Sequence, residues 1–142
     1  MEEHDIIIGI KELTTMLYIE EESLNKDNIK DVIEMLDRVP EMYKKSRDII
    51  LKETENGTID FFVEWHIDEL DLAELFGVKN NKEITREMFL NFLEPRTINL
   101  YADEDGDIIS FFDFSLPEDY SDELLVIRFN NKYEVFDISH ES

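Results

Sequence analysis

The sequence predicts an α+β fold in one domain: an antiparallel sheet, made of an N-terminal hairpin and a C-terminal three-strand meander, with helices packed on one face. Three observations lead there. β-Branched and alternating apolar residues gather at the two ends of the 142-residue chain, and apolar residues at helical spacing fill the middle. No Pro/Gly/Ser linker, repeat or low-complexity tract separates these segments. A chain of this length buries roughly 68–70% of its unfolded surface, enough for a core without staples. Ten Phe, five Tyr and one Trp supply its bulk. A single domain over residues 1–142 is expected, with 1–24 as the hairpin, 25–94 helical and 95–142 the meander.

Ile6, Ile7, Ile8 and Ile10, then Thr14 to Ile19, read as two short strands. Ile6, Ile10, Leu13 and Leu17 also fit helical spacing, but Gly9 and the Thr14-Thr15 pair weaken a helix. Asn25 suits an N-cap, because its side chain can accept from free first-turn amides. Ile29, Val32, Ile33 and Leu36 then form an apolar stripe. Pro40 lacks an N–H and biases Val39 away from helical ψ, so that helix should end or kink there, with a second helix over Glu41 to Glu53. Asn56-Gly57 stops the second helix, and Thr58 caps a third carrying FFVEWHIDELD, Phe61 to Asp71. A short segment at Leu72 to Phe76 closes at Gly77, and Thr85 to Leu93 ends before Pro95.

Beyond Pro95 the period changes. Ile98, Leu100 and Ala102 alternate, the turn DEDGD follows, and Ile108 to Leu116 is apolar on both faces, as in a central strand. Leu124 to Phe129 and Tyr133 to Ile138 flank Asn130-Asn131, a hairpin turn in which asparagine tolerates positive φ.

The formal charge of −22 is the most unusual feature. Residues 1–58 carry 15 acids against 8 bases, 59–93 carry 8 against 3, and 94–142 carry 13 against 3. The surplus runs along the whole chain. Such a field repels nucleic acid and anionic lipid, so direct nucleic-acid or membrane binding is not expected, and it speeds association with a basic protein partner. With no cysteine, thiol nucleophiles and zinc-thiolate sites are excluded. The acidic start MEEHD and the lack of a ~20-residue apolar run predict a cytoplasmic protein.

Candidate sites are few. Ile59, Phe62, His66 and Leu70 share one helical stripe while Asp60, Glu64, Asp68 and Asp71 fall on another. His66 therefore points with the apolar residues and reads as a core histidine; a hydrolase or metal-dependent enzyme using His66 with Glu69 or Asp68 is the alternative. His4 and His140 lie near the chain ends, and HExxH, P-loop, G-x-G-x-x-G and G-x-S-x-G motifs are absent. The D-x-D-G-D run resembles a calcium loop. With Gly106 at its sixth position, however, Tyr101 and Phe112 occupy positions 1 and 12, where carboxylates are needed. Asp103, Glu104, Asp105 and Asp107 read instead as an acidic turn. PEDYSDE places Glu118, Asp119, Asp122 and Glu123 around Tyr120, a composition suited to partner recognition unless the ring folds back on the sheet. No cofactor is expected.

At FVEWHIDEL, FFDFSLP and LLVIRFNNKYEVFDISHES the chain resembles a family of small acidic bacterial proteins catalogued as a domain of unknown function. The shared features are an aromatic-His-acidic helix, a Phe-Asp-aromatic strand and a hairpin ending in Ile-Ser-x-Glu-Ser. The resemblance covers roughly residues 58–142 and implies a bacterial cytoplasmic α+β protein without assigned catalytic or binding residues. By analogy with other small acidic proteins, it suggests an immunity partner of a secreted toxin. The expected function is thus a non-catalytic protein-binding module, an immunity or inhibitor protein for a basic toxin. A nucleic-acid mimic, with carboxylates in place of phosphates, is the further alternative.

Overall fold

The computed structural model describes residues 6–10, 15–52 and 56–142. It contains helices and one mixed sheet, mostly antiparallel, of six strands in the order β1-β2-β3-β4-β5-β6. Strand β1 (Ile6–Ile10) pairs antiparallel with β2 (Thr15–Ile19), and Ile6 faces Ile19. His4, Leu13, Thr14 and Glu53 lie outside the described residues.

Two expectations about the sheet are corrected. Strand β2 pairs in parallel with β3 (Glu94–Ala102), Leu17 beside Ile98 and Ile19 beside Leu100. A parallel pair needs a long crossover, and the helical residues between these strands provide it. The C-terminal meander has four strands, because β3 pairs antiparallel with β4 (Ile108–Ser115), which continues into β5 (Leu124–Phe129) and β6 (Val135–Glu141). The last turn is also longer than Asn130-Asn131. The Asn130 side chain accepts from the amides of Lys132 and Glu134, and the positive φ falls on Tyr133, at 64°. Arg38 lies over the Tyr133 ring at 4.9 Å and Lys45 donates to its carbonyl, holding a conformation the residue type disfavours.

Asn25 caps as expected, its side chain accepting from the amides of Asp27 and Asn28. Pro40 does not end the helix. One helix, α1, runs from Ile29 to Lys52 with Pro40 inside it. Its buried stripe is Val32, Met35, Val39, Met42, Ser46 and Ile50, whereas Ile29 and Ile33 are exposed. The stripe explains the outcome. Val39 and Met42, on either side of Pro40, are both buried, and each burial gives about 1.5–3 kcal/mol, against ~3 kcal/mol for an interior proline.

Helix α2 (Gly57–Glu69) is capped by Asn56, whose side chain accepts from Ile59; Thr58 lies within the helix, not at its cap. Helix α3 (Ala73–Phe76) closes at left-handed Gly77, and Thr85 caps α4 (Arg86–Phe92). The Arg47 guanidinium donates to the carbonyls of Asn91 and Leu93, tying the end of α4 to α1. Asn81 links the carbonyls of Ile67 and Leu70 to the amide of Leu72, fixing the chain where it leaves α2. One core unites Leu17, Ile98, Phe112, Phe114, Ile127 and Phe129 of the sheet with Val32, Met35, Met42, Ile59 and Phe62 of the helices. No helix among the described residues is long and apolar enough to cross a membrane.

Candidate functional site

The acidic segments singled out in the sequence are not neighbours. The turn Asp103–Asp107 enters β4 and the Glu118–Glu123 loop follows it, so a strand of eight residues, about 25 Å, lies between them. At the first end, Asp103 Oδ1 accepts from the amides of Asp105 and Asp107, each at 2.9 Å, and Gly106 has φ 83°. The carboxylate oxygens of Asp103, Asp105 and Asp107 come within 4.8 Å of one another. One oxygen of that trio is already engaged in shaping the turn. At the second end, Glu118, Asp119 and Asp122 are exposed, while Tyr120 is half-buried and packed against the core. The ring folds back instead of projecting.

His66 has the most organised surroundings. Helical spacing places it with Ile59, Phe62 and Val63 on the buried side of α2, and its exposure is 0%. Phe62, Trp65 and Phe89 surround the ring, with centroids 4.4, 5.0 and 5.2 Å away. Its Nδ1 lies 2.8 Å from the Phe62 carbonyl, which can only accept, so Nδ1 carries the proton. Nε2, 2.8 Å from Ser121 Oγ, is then the acceptor for the Ser121 hydroxyl. Ser121 Oγ in turn accepts from the amide of Glu123. Both ring nitrogens are thereby taken, and neither Asp68 nor Glu69 is a partner.

Beside this chain of bonds sits a second pair. His140, on β6, places Nε2 3.1 Å from Glu123 Oε1, and its ring stacks 6.4 Å from that of His66. Burial lowers the His66 pKa below its ordinary 6.5; the Phe62 carbonyl raises it by a smaller amount, His140 lowers it and Glu123 raises it. The ring is thus held neutral, in the tautomer that accepts from Ser121.

A serine hydroxyl on a neutral imidazole is the nucleophile–base pairing of acyl-transfer enzymes. Here Ser121 is 6% exposed and His66 fully enclosed, so the pair offers little open surface to a substrate carbonyl. The third group orienting the ring is a backbone carbonyl, which cannot compensate an imidazolium as a carboxylate does. What the arrangement does do is anchor the 116–123 loop to α2 and so set the position of Glu118, Asp119 and Asp122.

Asp113 is a second buried ionisable group. It lies on β4, 8% exposed, and accepts from Thr97 Oγ1 at 2.6 Å; Asn99 donates to the same hydroxyl. Burial raises its pKa above the ordinary 3.8; the Thr97 bond, Arg128 and Arg96 lower it by less, and Glu141 raises it. A raised folded pKa means that ionised Asp113 subtracts stability at neutral pH, and this penalty fades as pH falls through the folded value towards 3.8. Asp113→Asn keeps an acceptor for Thr97, so it is expected to raise Tm at pH 7 with a gain that shrinks by pH 4. A lowered Tm at pH 7 would show that the Arg128 and Arg96 fields outweigh burial.

The His66–Ser121 and Glu123–His140 pairs were missed in the sequence, as was Asp113. A separation of 55 residues between His66 and Ser121 leaves no local pattern to find. Only the aromatic environment of His66 was visible, through its helical stripe. No family model matches the chain, and neither a curated protein nor a solved structure shows significant similarity to it.

Proposed function

We propose that this chain is a non-catalytic binding module that captures a cationic protein, acting as an immunity or inhibitor protein for a basic toxin such as a nuclease. The observation that carries the reading is the charge of −22. With 36 acids and 14 Lys and Arg, internal pairing leaves at least 22 carboxylates without a basic residue of their own. A field of that size raises the encounter rate with a cationic surface and disfavours anionic partners. Steric occlusion of a cationic active site is the mechanism, and the Asp103–Asp107 turn and the Glu118–Asp122 segment are contact candidates at opposite ends of β4.

The architecture suits this role. In this reading the helices cover one face of the sheet, the side of Leu17, Ile98, Phe112 and Ile127, which share a core with α1 and α2. The opposite face presents Thr97, Asn99, Tyr101, Arg128 and Asp137. The enclosed Ser121–His66 pair supports a scaffold role for the histidine.

Co-expression with toxin-like products of neighbouring genes, followed by capture in low and high salt, tests the proposal. A cationic partner should associate roughly tenfold or more slowly when salt shortens the Debye length from about 30 Å at 0.01 M to ~8 Å at 0.15 M. Absence of capture at low salt would count against it. So would an association rate indifferent to salt.

A further inference from the structure

We infer that β6 is a docking edge which takes an extended, lysine- or arginine-bearing segment of a protein partner as an added strand. This rests on the binding-module reading above and assigns it a site.

Strand β6 is the last strand of the sheet, bonded to β5 on one side. Among the described residues, 135–141 make no backbone hydrogen bond beyond that ladder. Amides and carbonyls directed away from β5 are a template for another strand. Sheets blunt such an edge with charge, proline, a bulge or a covering helix. Strand β6 has no proline or lysine, its charges are the acidic Asp137 and Glu141, and its pairing shifts register near Val135. Helix α2 packs Phe61, Phe62 and Trp65 against it at His140, which leaves the edge at 135–139 for a cationic strand.

Beside the edge runs a groove between β6 and the C-terminal part of α1. Ile49, Phe136 and Ile138 give it an apolar floor, with Asp48, Lys52 and Asp137 at its margins. Phe136 is 53% exposed, a large area for a phenyl ring in a chain that buries most of its other Phe. An added strand would lay alternate side chains into this groove, because successive residues point to opposite faces. The intervening side chains would face Glu134, Asp137 and Glu141, among which Arg128 is the nearby cation, paired to both Asp137 and Glu141. An alternating cationic–apolar strand matches both rows. A second copy of this chain, at −22, does not.

The probe is an acetylated, amidated peptide of sequence Lys-Ile-Lys-Val-Lys-Ile-Lys, titrated into the full chain while backbone amide resonances are followed. Shifts should concentrate at 135–139 and Ile49. Phe136→Ser, at an exposed position, leaves the core intact and should weaken binding roughly tenfold. A peptide with alternate amides N-methylated keeps the charges but lacks the donors, and it should shift these residues far less. Equal binding by the methylated peptide, or shifts centred on 103–107 and 118–122, would overturn the edge site while leaving capture of cationic proteins standing. Loss of salt-dependent capture of any cationic partner would instead remove the underlying reading. A Phe136-dependent dimer in sedimentation would make a second copy the occupant and refute the proposed strand.

Discussion

Replacing His66 by alanine is expected to cost about 3–5 kcal/mol of stability, the range for truncating a large buried ring, and to lower Tm by roughly 10 °C for a chain of this size. The removed ring leaves a void among Phe62, Trp65 and Phe89, all within 5.2 Å of its centroid. It also removes the ring's bonds to the Phe62 carbonyl and to Ser121, leaving the buried Ser121 hydroxyl proton without its acceptor, a penalty of about 1–3 kcal/mol where water cannot replace the bond. Ser121→Ala removes the bonds to His66 Nε2 and from the Glu123 amide but leaves no ring-sized void, so it should cost less, while loosening the 116–123 loop. The pH dependence has a defined sign. The folded pKa of His66 lies below 6.5, so the unfolded chain binds the proton more readily. Its contribution is fully present above pH 6.5 and is lost as pH falls towards the lowered folded value. Denaturant melts between pH 5 and 8 should therefore show a decline below 6.5 whose His66 share vanishes in the alanine variant. An alanine variant with unchanged Tm but abolished hydrolytic turnover would make the ring catalytic instead of structural.

Much of the fold was legible where the pattern is local. The stripe Ile59, Phe62, His66 predicted which side of α2 is buried, because helical spacing alone sorts these residues from Glu64 and Asp68. The Asp103–Asp107 turn announced itself through residues whose side chains bond their own backbone, whereas Asn130-Asn131 marked the place of the last turn but not its length or the positive φ at Tyr133. What failed was non-local. The parallel pairing of β2 with β3 has no signature in either strand, since Leu17 and Ile98 would serve an antiparallel neighbour as well. Ser121 looked like one residue of an acidic loop, and only the tertiary fold brings it to Nε2 of His66. The same holds for Glu123 and His140, 17 residues apart across the β5–β6 hairpin. The distance between the two acidic segments was equally hidden, because it depends on β4 standing between them.

The proline at position 40 was the strongest local signal for a helix end, and tertiary burial overrides it; Pro40→Ala is accordingly expected to stabilise the chain. Proline in a helix interior is ~3 kcal/mol less favourable than alanine: it has no N–H to give the carbonyl four residues back, here Leu36, and its ring crowds that oxygen. Alanine restores both. Against this, proline restricts the unfolded chain, an advantage of about 0.4–1 kcal/mol that alanine gives up. The net gain is about 2 kcal/mol, a rise in Tm of several degrees, read by calorimetry on the full chain. Because Pro40 is exposed, no core contact is lost. A neutral or lowered Tm would mean that α1 is bent at this point and that the bend is needed to seat Val32 and Met35 on one side, and Ser46 and Ile50 on the other, against the same core. The helix would then be two packed segments joined at Val39, and the burial of Val39 and Met42 would stabilise the joint, not a straight run through it.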